Sequence, residues 1–203
     1  VEDPYCLVET SPGSQQFSKI DNPVSLQEVV DILQTWTEKS PGLHHSISLT
    51  GGEPLHHGRI LHEWLPELKS ILPVYLETNG TQPLILADLI EDIELVSMDI
   101  KLESVIGFET PWELHRDFLQ IAADKLCCVK LVVGIHTPDS EVSSAAELVR
   151  ELAPDTVLVL QPLTRDNVID VSSGRLLELQ QLAAEIYPDV RIIPQTHRFL
   201  DLL

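Results

Sequence analysis

Six short apolar runs alternate with stretches of helical spacing, and this alternation is the feature that most constrains the fold. Strands that alternate with helices predict right-handed βαβ units and a parallel sheet. The runs show little strict apolar–polar alternation, which is typical of strands covered on both faces. The predicted strands are Ser46–Thr50, Val74–Glu77, Leu95–Ile100, Cys128–Val133, Thr156–Leu160 and Val190–Ile193, with predicted helices at 59–71, 83–91, 111–125, 139–152 and 174–186.

Six strands are too few for a closed eight-stranded barrel, so an α/β open sheet or a partial barrel is expected. The 203 residues fit one domain, 1–203, on a prior of roughly 100–200 residues per domain. A further helix should begin after Ser25, where Glu28 completes a capping-box pattern, and run to about Lys39. The stretch before it, 1–24, is rich in proline and polar residues and predicts an extended arm without strands.

Charge and cysteine content limit the partners and the compartment. Thirteen Lys and Arg against 32 Asp and Glu give a net charge of −19, which repels nucleic-acid phosphates and anionic lipid. We therefore expect neither nucleic acid nor a membrane as a partner. Cys6, Cys127 and Cys128 do not form a disulfide framework, so a reducing cytosol, and hence a cytoplasmic location, fits the chain.

Small and polar residues follow the predicted strands. Because ligands of parallel α/β proteins gather at the carboxyl ends of the strands, these residues predict a polar ligand site on one rim. Asp99 and Lys101, two residues apart, share a strand face; a rim ion pair is the alternative interpretation. The rim segments are Thr50-Gly51-Gly52-Glu53-Pro54, Glu77-Thr78-Asn79-Gly80-Thr81, Asp99-Ile100-Lys101 and Gln161-Pro162.

These segments resemble the motifs of the radical S-adenosylmethionine (SAM) superfamily. Thr50-Gly51-Gly52-Glu53-Pro54 is similar to its GGEP motif, and the later segments, in the same order, are similar to the 7-carboxy-7-deazaguanine synthase branch. The resemblance implies a partial (β/α) barrel that here lacks its first strand. It also implies a lyase that converts 6-carboxytetrahydropterin to 7-carboxy-7-deazaguanine in queuosine biosynthesis, with SAM, a 4Fe-4S cluster and Mg²⁺. A pterin substrate, a homodimer and a reductant such as flavodoxin or ferredoxin are implied with it.

The same resemblance assigns roles to individual residues. It implies that SAM is bound by Gly51, Gly52, Glu53, Thr78, Asn79, Asp99, Ile100, Lys101, Gln161 and Pro162. Thr50 and His197 would meet the substrate; for His197 and Arg198 a surface pair is the alternative. No residue is assigned to catalysis or to a metal.

The chain departs from this family at the cluster. Three thiolates close together in one loop would be needed, and no C-x3-C-x2-C run occurs in the sequence. We expect either that an upstream piece of roughly 30–50 residues carries the cluster loop and the first strand, or that the protein is a cluster-less relative that binds a nucleoside or a partner. A radical SAM activating enzyme is a third hypothesis.

Four histidines flank the Gly51–Gly52 segment, namely His44, His45, His56 and His57. Imidazoles are common metal ligands. Adjacent histidines on a strand point to opposite faces, however, so solvent-facing side chains are favoured over a metal site.

Overall fold

A parallel sheet and the helices between its strands follow a pair of strands near the amino end. The computed structural model describes residues 4–10, 14–165 and 168–196. The strands are β1 (Tyr5–Glu9), β2 (Phe17–Asp21), β3 (Ile47–Leu49), β4 (Val74–Thr78), β5 (Leu95–Ile100), β6 (Leu126–Val133), β7 (Val157–Pro162), β8 (Thr164–Arg165), β9 (Val168–Ile169) and β10 (Val190–Ile192). The helices are α1 (Leu26–Lys39), α2 (Gly58–Ile71), α3 (Pro83–Leu89), α4 (Glu103–Ile106), α5 (Trp112–Ala122), α6 (Asp139–Leu152) and α7 (Ser173–Ile186), with 3-10 turns at Pro54–His57 and Ile90–Asp92.

All six predicted strands are present, and they form one parallel sheet. Its order is β10-β7-β6-β5-β4-β3, so strands that follow one another in this sheet along the chain are also neighbours. When every crossover is right-handed, such an order places all the connecting helices on one face. Accordingly each long helix packs against the next, from α1 to α2, α3, α5, α6 and α7. This α/β topology confirms the predicted partial barrel.

The helices cover only one face of the sheet, which corrects the prediction that both faces are covered. In β4 the side chains of Val74, Leu76 and Thr78 are buried, whereas those of Tyr75 and Glu77 are half-buried. We call the face opposite the helices the inner face. Polar side chains such as Glu77 lie on the inner face, whereas the apolar core lies mainly on the helix side. The apolar runs look continuous because the polar residues on this face are few, and apolar residues such as Val132 and Val159 occupy other positions of the same face.

The first helix begins as its sequence predicts. The Ser25 hydroxyl accepts a hydrogen bond from the backbone N–H of Glu28, and the Glu28 carboxylate accepts one from the backbone N–H of Ser25. These two hydrogen bonds satisfy donors that a helix start leaves free.

The arm at 1–24 is partly folded, so the prediction of a strandless arm is wrong. β1 and β2 pair antiparallel, with Tyr5 opposite Asp21 and Glu9 opposite Phe17. The turn-forming residues that suggested a loop lie outside these strands; Pro4 and Asn22, for example, flank them. Two further elements were not predicted, the four-residue helix α4 and the antiparallel pair β8–β9, since both are too short to show a period.

Two phenylalanines, one buried in the core and one exposed, allow the position of the core to be tested. Phe118 on α5 is 0% exposed, whereas Phe108 is 77% exposed. We expect Phe118→Ala to lower the free energy of unfolding by about 3–5 kcal/mol because it leaves a cavity. Phe108→Ala should change it by less than about 0.5 kcal/mol. Urea unfolding of both variants measures the difference, and equal losses would contradict this placement of the core.

Candidate functional site

The loop after β3 holds its backbone open at two glycines. Gly51 and Gly52 have φ angles of +86° and +34°, in the left-handed region that side chains rarely adopt. Apart from the neighbours in sequence, no atom of the residues that the structure describes would lie within 4 Å of a Cβ at either position. The backbone conformation, not crowding, therefore requires glycine here, and the space beside both residues is free for a ligand. Thr50, just before them, is exposed.

Glu53 ties this loop to the loop that follows β4. Its side chain is buried, and one carboxylate oxygen accepts from the Thr78 hydroxyl at 2.7 Å. The other oxygen accepts from the backbone N–H of Asn79 at 2.7 Å. The backbone N–H of Leu55, within the Glu53 loop, donates a third hydrogen bond to this carboxylate at 3.2 Å. Charge-assisted hydrogen bonds of this kind are among the stronger ones in proteins, so Glu53 positions two loops at once.

The loop after β4 is fixed from within. The Asn79 side-chain oxygen accepts from the backbone N–H of Thr81 at 3.0 Å and from its hydroxyl at 2.6 Å. Gly80 has φ +65°, and a Cβ there would lie 2.7 Å from Cγ of Met98. Glycine is required at this position both by the backbone angle and by the close packing of Met98.

His115 supports the same loop from below. It is fully buried on α5, and its Nδ1–H donates to the carbonyl of Gly80 at 3.1 Å. Burial lowers the pKa of His115 to about 4, with the nearby charge of Lys101 acting in the same direction, so the ring is neutral at physiological pH. The sequence prediction missed this residue. Its helical spacing with the buried Phe118, Leu119 and Ala122 is the signal that marked it as inward-facing.

A cluster of charged side chains occupies the inner face between β4, β5 and β6. The Asp99 carboxylate lies between two ammonium groups, with Oδ2 at 2.9 Å from Nζ of Lys101 and Oδ1 at 3.1 Å from Nζ of Lys130. Lys130 also lies 3.7 Å from Glu77. Asp99 and Lys101 thus share one face, as predicted, and they form the ion pair of the alternative interpretation. Glu77 was predicted only as part of a rim segment, and Lys130 was not among the predicted site residues, although it is a conspicuous charge within an apolar run.

The remaining predicted residues divide between backbone and side-chain positions. Gln161 on β7 pairs with Val132 and is half-buried on the inner face. Ile100 and Pro162 are buried on the helix side, so their side chains do not reach the inner face and only their backbones can contribute to a site. His197 and Arg198 lie outside the described residues.

The structure brings the predicted segments to the carboxyl edge of the sheet. Gly51–Glu53, Thr78–Asn79, Asp99–Lys101 and Gln161 follow or end neighbouring parallel strands. The prediction that they converge at one end of the sheet is confirmed. In the part of the chain that the structure describes, no group of three or more His, Cys, Asp or Glu side chains could hold a metal ion, and His56 and His57 are exposed.

The three cysteines do not fit a 4Fe-4S cluster. Cys6 lies on β1, while Cys127 and Cys128 are adjacent on β6 and therefore point to opposite faces. Cys128 donates weakly to the Ser97 hydroxyl at 3.4 Å. Burial raises the pKa of the Cys127 thiol to about 12, whereas iron binds the thiolate.

The open edge, by contrast, fits the polar ends of SAM. Its Gly51–Gly52 backbone is uncovered among the described residues, and Asp99 Oδ1, which lies 3.1 Å from Nζ of Lys130, is a carboxylate oxygen with lone-pair capacity for a further donor. The site thus offers a buried acceptor and a neighbouring ammonium group to a ligand that carries hydroxyl and carboxylate groups.

Curated relatives match nearly the whole chain. The 7-carboxy-7-deazaguanine synthase of Geobacter sulfurreducens is 44% identical over 199 residues, which are 98% of this chain and 80% of the relative. The enzyme of the same name from Thermococcus kodakarensis is 32% identical over 204 residues, 96% of this chain and 77% of the relative. No family model matches the chain.

Solved structures share the fold. TYW1 with a lysine–pyruvate adduct bound superposes with a TM-score of 0.55 at 16% identity, over 91% of this chain and 70% of that chain. A radical SAM methyltransferase from Sphaerobacter thermophilus gives a TM-score of 0.60 at 16% identity, over 87% and 58%. At this identity the likeness shows the fold alone. Across the described residues, no helix is long and apolar enough to cross a membrane.

The buried imidazole of His115 predicts a pH dependence of stability. The unfolded chain binds a proton at this histidine near pH 6.5, whereas the folded protein does so only near pH 4. Stability should therefore rise with pH between these values and lose about 2 kcal/mol between pH 8 and pH 5 through this group. In His115→Asn, whose amide N–H can still donate to Gly80, that part of the loss should disappear.

Urea unfolding at both pH values measures the effect, with His56→Asn, a change at an exposed histidine, as the control. If His115→Asn and the parent protein lose the same stability on acidification, the buried neutral imidazole is not its cause.

Proposed function

The chain belongs to the 7-carboxy-7-deazaguanine synthase family, and on this premise we propose that it binds SAM and the substrate in a radical SAM lyase that converts 6-carboxytetrahydropterin to 7-carboxy-7-deazaguanine. The observation that carries the proposal is the tie between two rim loops. Glu53 joins the Gly51–Gly52 loop to Thr78 and Asn79, beside the Asp99–Lys101 pair at the same edge.

SAM is assigned to this edge by the chemistry of its ends. The uncovered backbone of Gly51 and Gly52 would meet the amino-acid end, with Glu53 holding that backbone in place. Asp99 Oδ1 lies beside Nζ of Lys130 at 3.1 Å and has lone-pair capacity left, so it would accept a hydrogen bond from a ribose hydroxyl. Lys101, the more exposed of the two lysines, would meet the carboxylate.

Other predicted residues complete the SAM site. Thr78 and Asn79 form its wall next to Glu53, and Gln161 approaches from β7, with backbone contributions from Ile100 and Pro162. When bound, SAM supplies the 5′-deoxyadenosyl group that drives the ring contraction of the substrate.

The substrate assignment depends on fewer residues. Thr50 is exposed at the start of the Gly51–Gly52 loop, where its hydroxyl is free to hydrogen-bond a heterocycle. His197, the second predicted contact, lies outside the described residues and stays a prediction. A pterin with a carboxylate is the substrate class that the family name of the relatives favours.

The wider assignments follow the same proposal. We assign residues 1–203 to one radical SAM-like domain that acts in the cytoplasm as a homodimer and accepts electrons from a flavodoxin or a ferredoxin. Mg²⁺ is part of the expected chemistry, but no residue is assigned to it. The activating-enzyme hypothesis is set aside, since the relatives described above share one synthase name.

The positions of the cysteines also agree with a second candidate function. The cysteines of the chain lie on β1 and β6 and do not form a cluster site. A protein that binds a nucleoside at this edge without turnover agrees with that placement, and the assay below separates it from the lyase.

Removal of the Glu53 carboxylate tests the site. The holoenzyme is here the chain together with the upstream cluster-binding piece expected above, loaded with its 4Fe-4S cluster. In it we expect Glu53→Ala to weaken SAM binding by about 1.5–3 kcal/mol, because two rim loops lose the charge-assisted hydrogen bonds that hold them together. Calorimetric titration with SAM gives the affinity, and chromatography gives the 7-carboxy-7-deazaguanine formed.

Glu67→Ala, at an exposed glutamate on α2, is the control and should leave both readouts unchanged. Thr78→Val removes one of the hydrogen bonds and keeps the test informative if Glu53→Ala does not fold. If both rim variants bind SAM with unchanged affinity, this edge is not the SAM site. If the parent holoenzyme binds SAM but forms no product, the result favours the second candidate function, binding without turnover.

The positions of the cysteines give a separate prediction. We expect the 203 residues alone to bind no 4Fe-4S cluster, since three thiolates cannot meet around one cluster. The measurement is anaerobic reconstitution with iron and sulfide, followed by an iron count and the absorbance at about 400 nm. A count of about four irons per chain would contradict the prediction and require a ligand set other than these thiols.

A further inference from the structure

Lys130 is a charged residue in the middle of the inner face that none of the assignments above uses. It lies on β6 directly opposite Asp99 of β5, and its side chain is only 19% exposed. Its ammonium group lies 3.1 Å from Asp99 and 3.7 Å from Glu77. One lysine therefore links carboxylates from β5 and β4.

Asp99 is shared between two lysines that differ in exposure. Lys101 contacts one carboxylate oxygen and has a side chain that is 38% exposed, twice the fraction of Lys130. The more exposed lysine is the one free to turn toward a ligand. Once it turns, Asp99 would be a poorly solvated carboxylate with no cation beside it if Lys130 were absent, which is costly.

The charge state of Lys130 suits this task. Burial alone would lower the pKa of Lys130, but the carboxylates of Asp99 and Glu77 outweigh burial and raise the pKa above its usual value. The ammonium group therefore stays charged throughout the physiological range, and the cluster of Glu77, Asp99, Lys101 and Lys130 is neutral as a whole.

Stability gives little reason for such a cluster. Replacing ion pairs that are withdrawn from water by apolar side chains of similar size is often neutral or stabilising. The four side chains of this cluster are half-buried, with exposed fractions of 19–38%, so folding gives little reason for these charges on the inner face. The cluster also lies at the edge where the predicted SAM residues meet.

We propose that Lys130 is a positioning residue of the SAM site, which holds Asp99 in place and compensates its charge while Lys101 binds the ligand carboxylate. The inference rests on the proposed function in one respect, the identity of the ligand as SAM. Lys130 acts through Asp99 and does not itself touch the ligand.

The first test compares two lysines of the holoenzyme. We expect Lys130→Met to raise the dissociation constant of SAM, measured by calorimetry, about tenfold or more. Lys69→Met is the matched control, since Lys69 pairs with Asp92 on the outer surface near the amino ends of the strands, and it should leave the affinity unchanged. Lys130→Arg should restore the affinity to within about threefold of the parent, because it returns the charge.

A double-mutant cycle separates positioning from a general structural effect. In an Asp99→Asn background, Lys130→Met should change the dissociation constant less than about threefold, since the charge that Lys130 compensates is already gone. Equal losses in both backgrounds, or no loss in Lys130→Met alone, would overturn the proposal. Thermal unfolding of each variant identifies any that fails to fold, in which case Lys130→Gln replaces Lys130→Met.

Failure of the proposed function is recorded by a different measurement. A parent holoenzyme that binds SAM but forms no 7-carboxy-7-deazaguanine would refute the lyase assignment, while the binding cycle would still decide the role of Lys130. A holoenzyme that forms product with unchanged SAM affinity in Lys130→Met would refute the inference alone.

Discussion

The arrangement of the whole site depends on one topological constraint. Strands that are sequential in the sheet, joined by crossovers of one hand, leave all helices on one face. The helix face takes the apolar side chains, and the inner face is left for polar groups that would be expensive to bury in a closed core. The inner face can therefore hold Glu77, Asp99 and Lys130, as long as each charge has a partner of opposite sign nearby.

The second level of organisation is the rim, where backbone angles and hydrogen bonds replace packing. Gly51 and Gly52 adopt left-handed angles in open space, whereas Gly80 adopts one against Met98. His115 holds the Gly80 carbonyl from the core side, and Glu53 joins the two loops. The buried imidazole of His115 thus connects the rim to the core, and the buried carboxylate of Glu53 connects the two rim loops to each other.

The sequence predicted the sheet well because the strand runs are apolar and are separated by clear helical periods. It predicted the capping box at Ser25 because that motif is local. It failed for β1 and β2 because both strands are short and are flanked by proline and other turn-forming residues, which obscured them. The strand sequences also gave no reliable sign that one sheet face lacks helices.

Prediction of the site divides in the same way. Motif residues such as Glu53 and Asp99 can be recognised in the sequence. Their hydrogen-bond and ion-pair partners cannot, because the fold and its strand register determine them. Asp99 and Lys130 face each other only because β5 and β6 pair in one register. His115 lies 35 residues from Gly80 along the chain, so no local pattern joins them. The motif correctly placed Ile100 and Pro162 near the predicted site, but the pleat of their strands directs their side chains to the helix side, away from the inner face.

The carboxylate of Glu53 has a consequence for the entropy of ligand binding. Two loops that are already joined to each other lose little further freedom when a ligand arrives, so the ordering cost is met during folding and not on association. The loops then respond as one unit, and the free-energy effects of changes at Glu53 and Thr78 should not add, because each change breaks the same connection. A rim built in this way presents to its ligand one preorganised surface, although its residues come from separate strands.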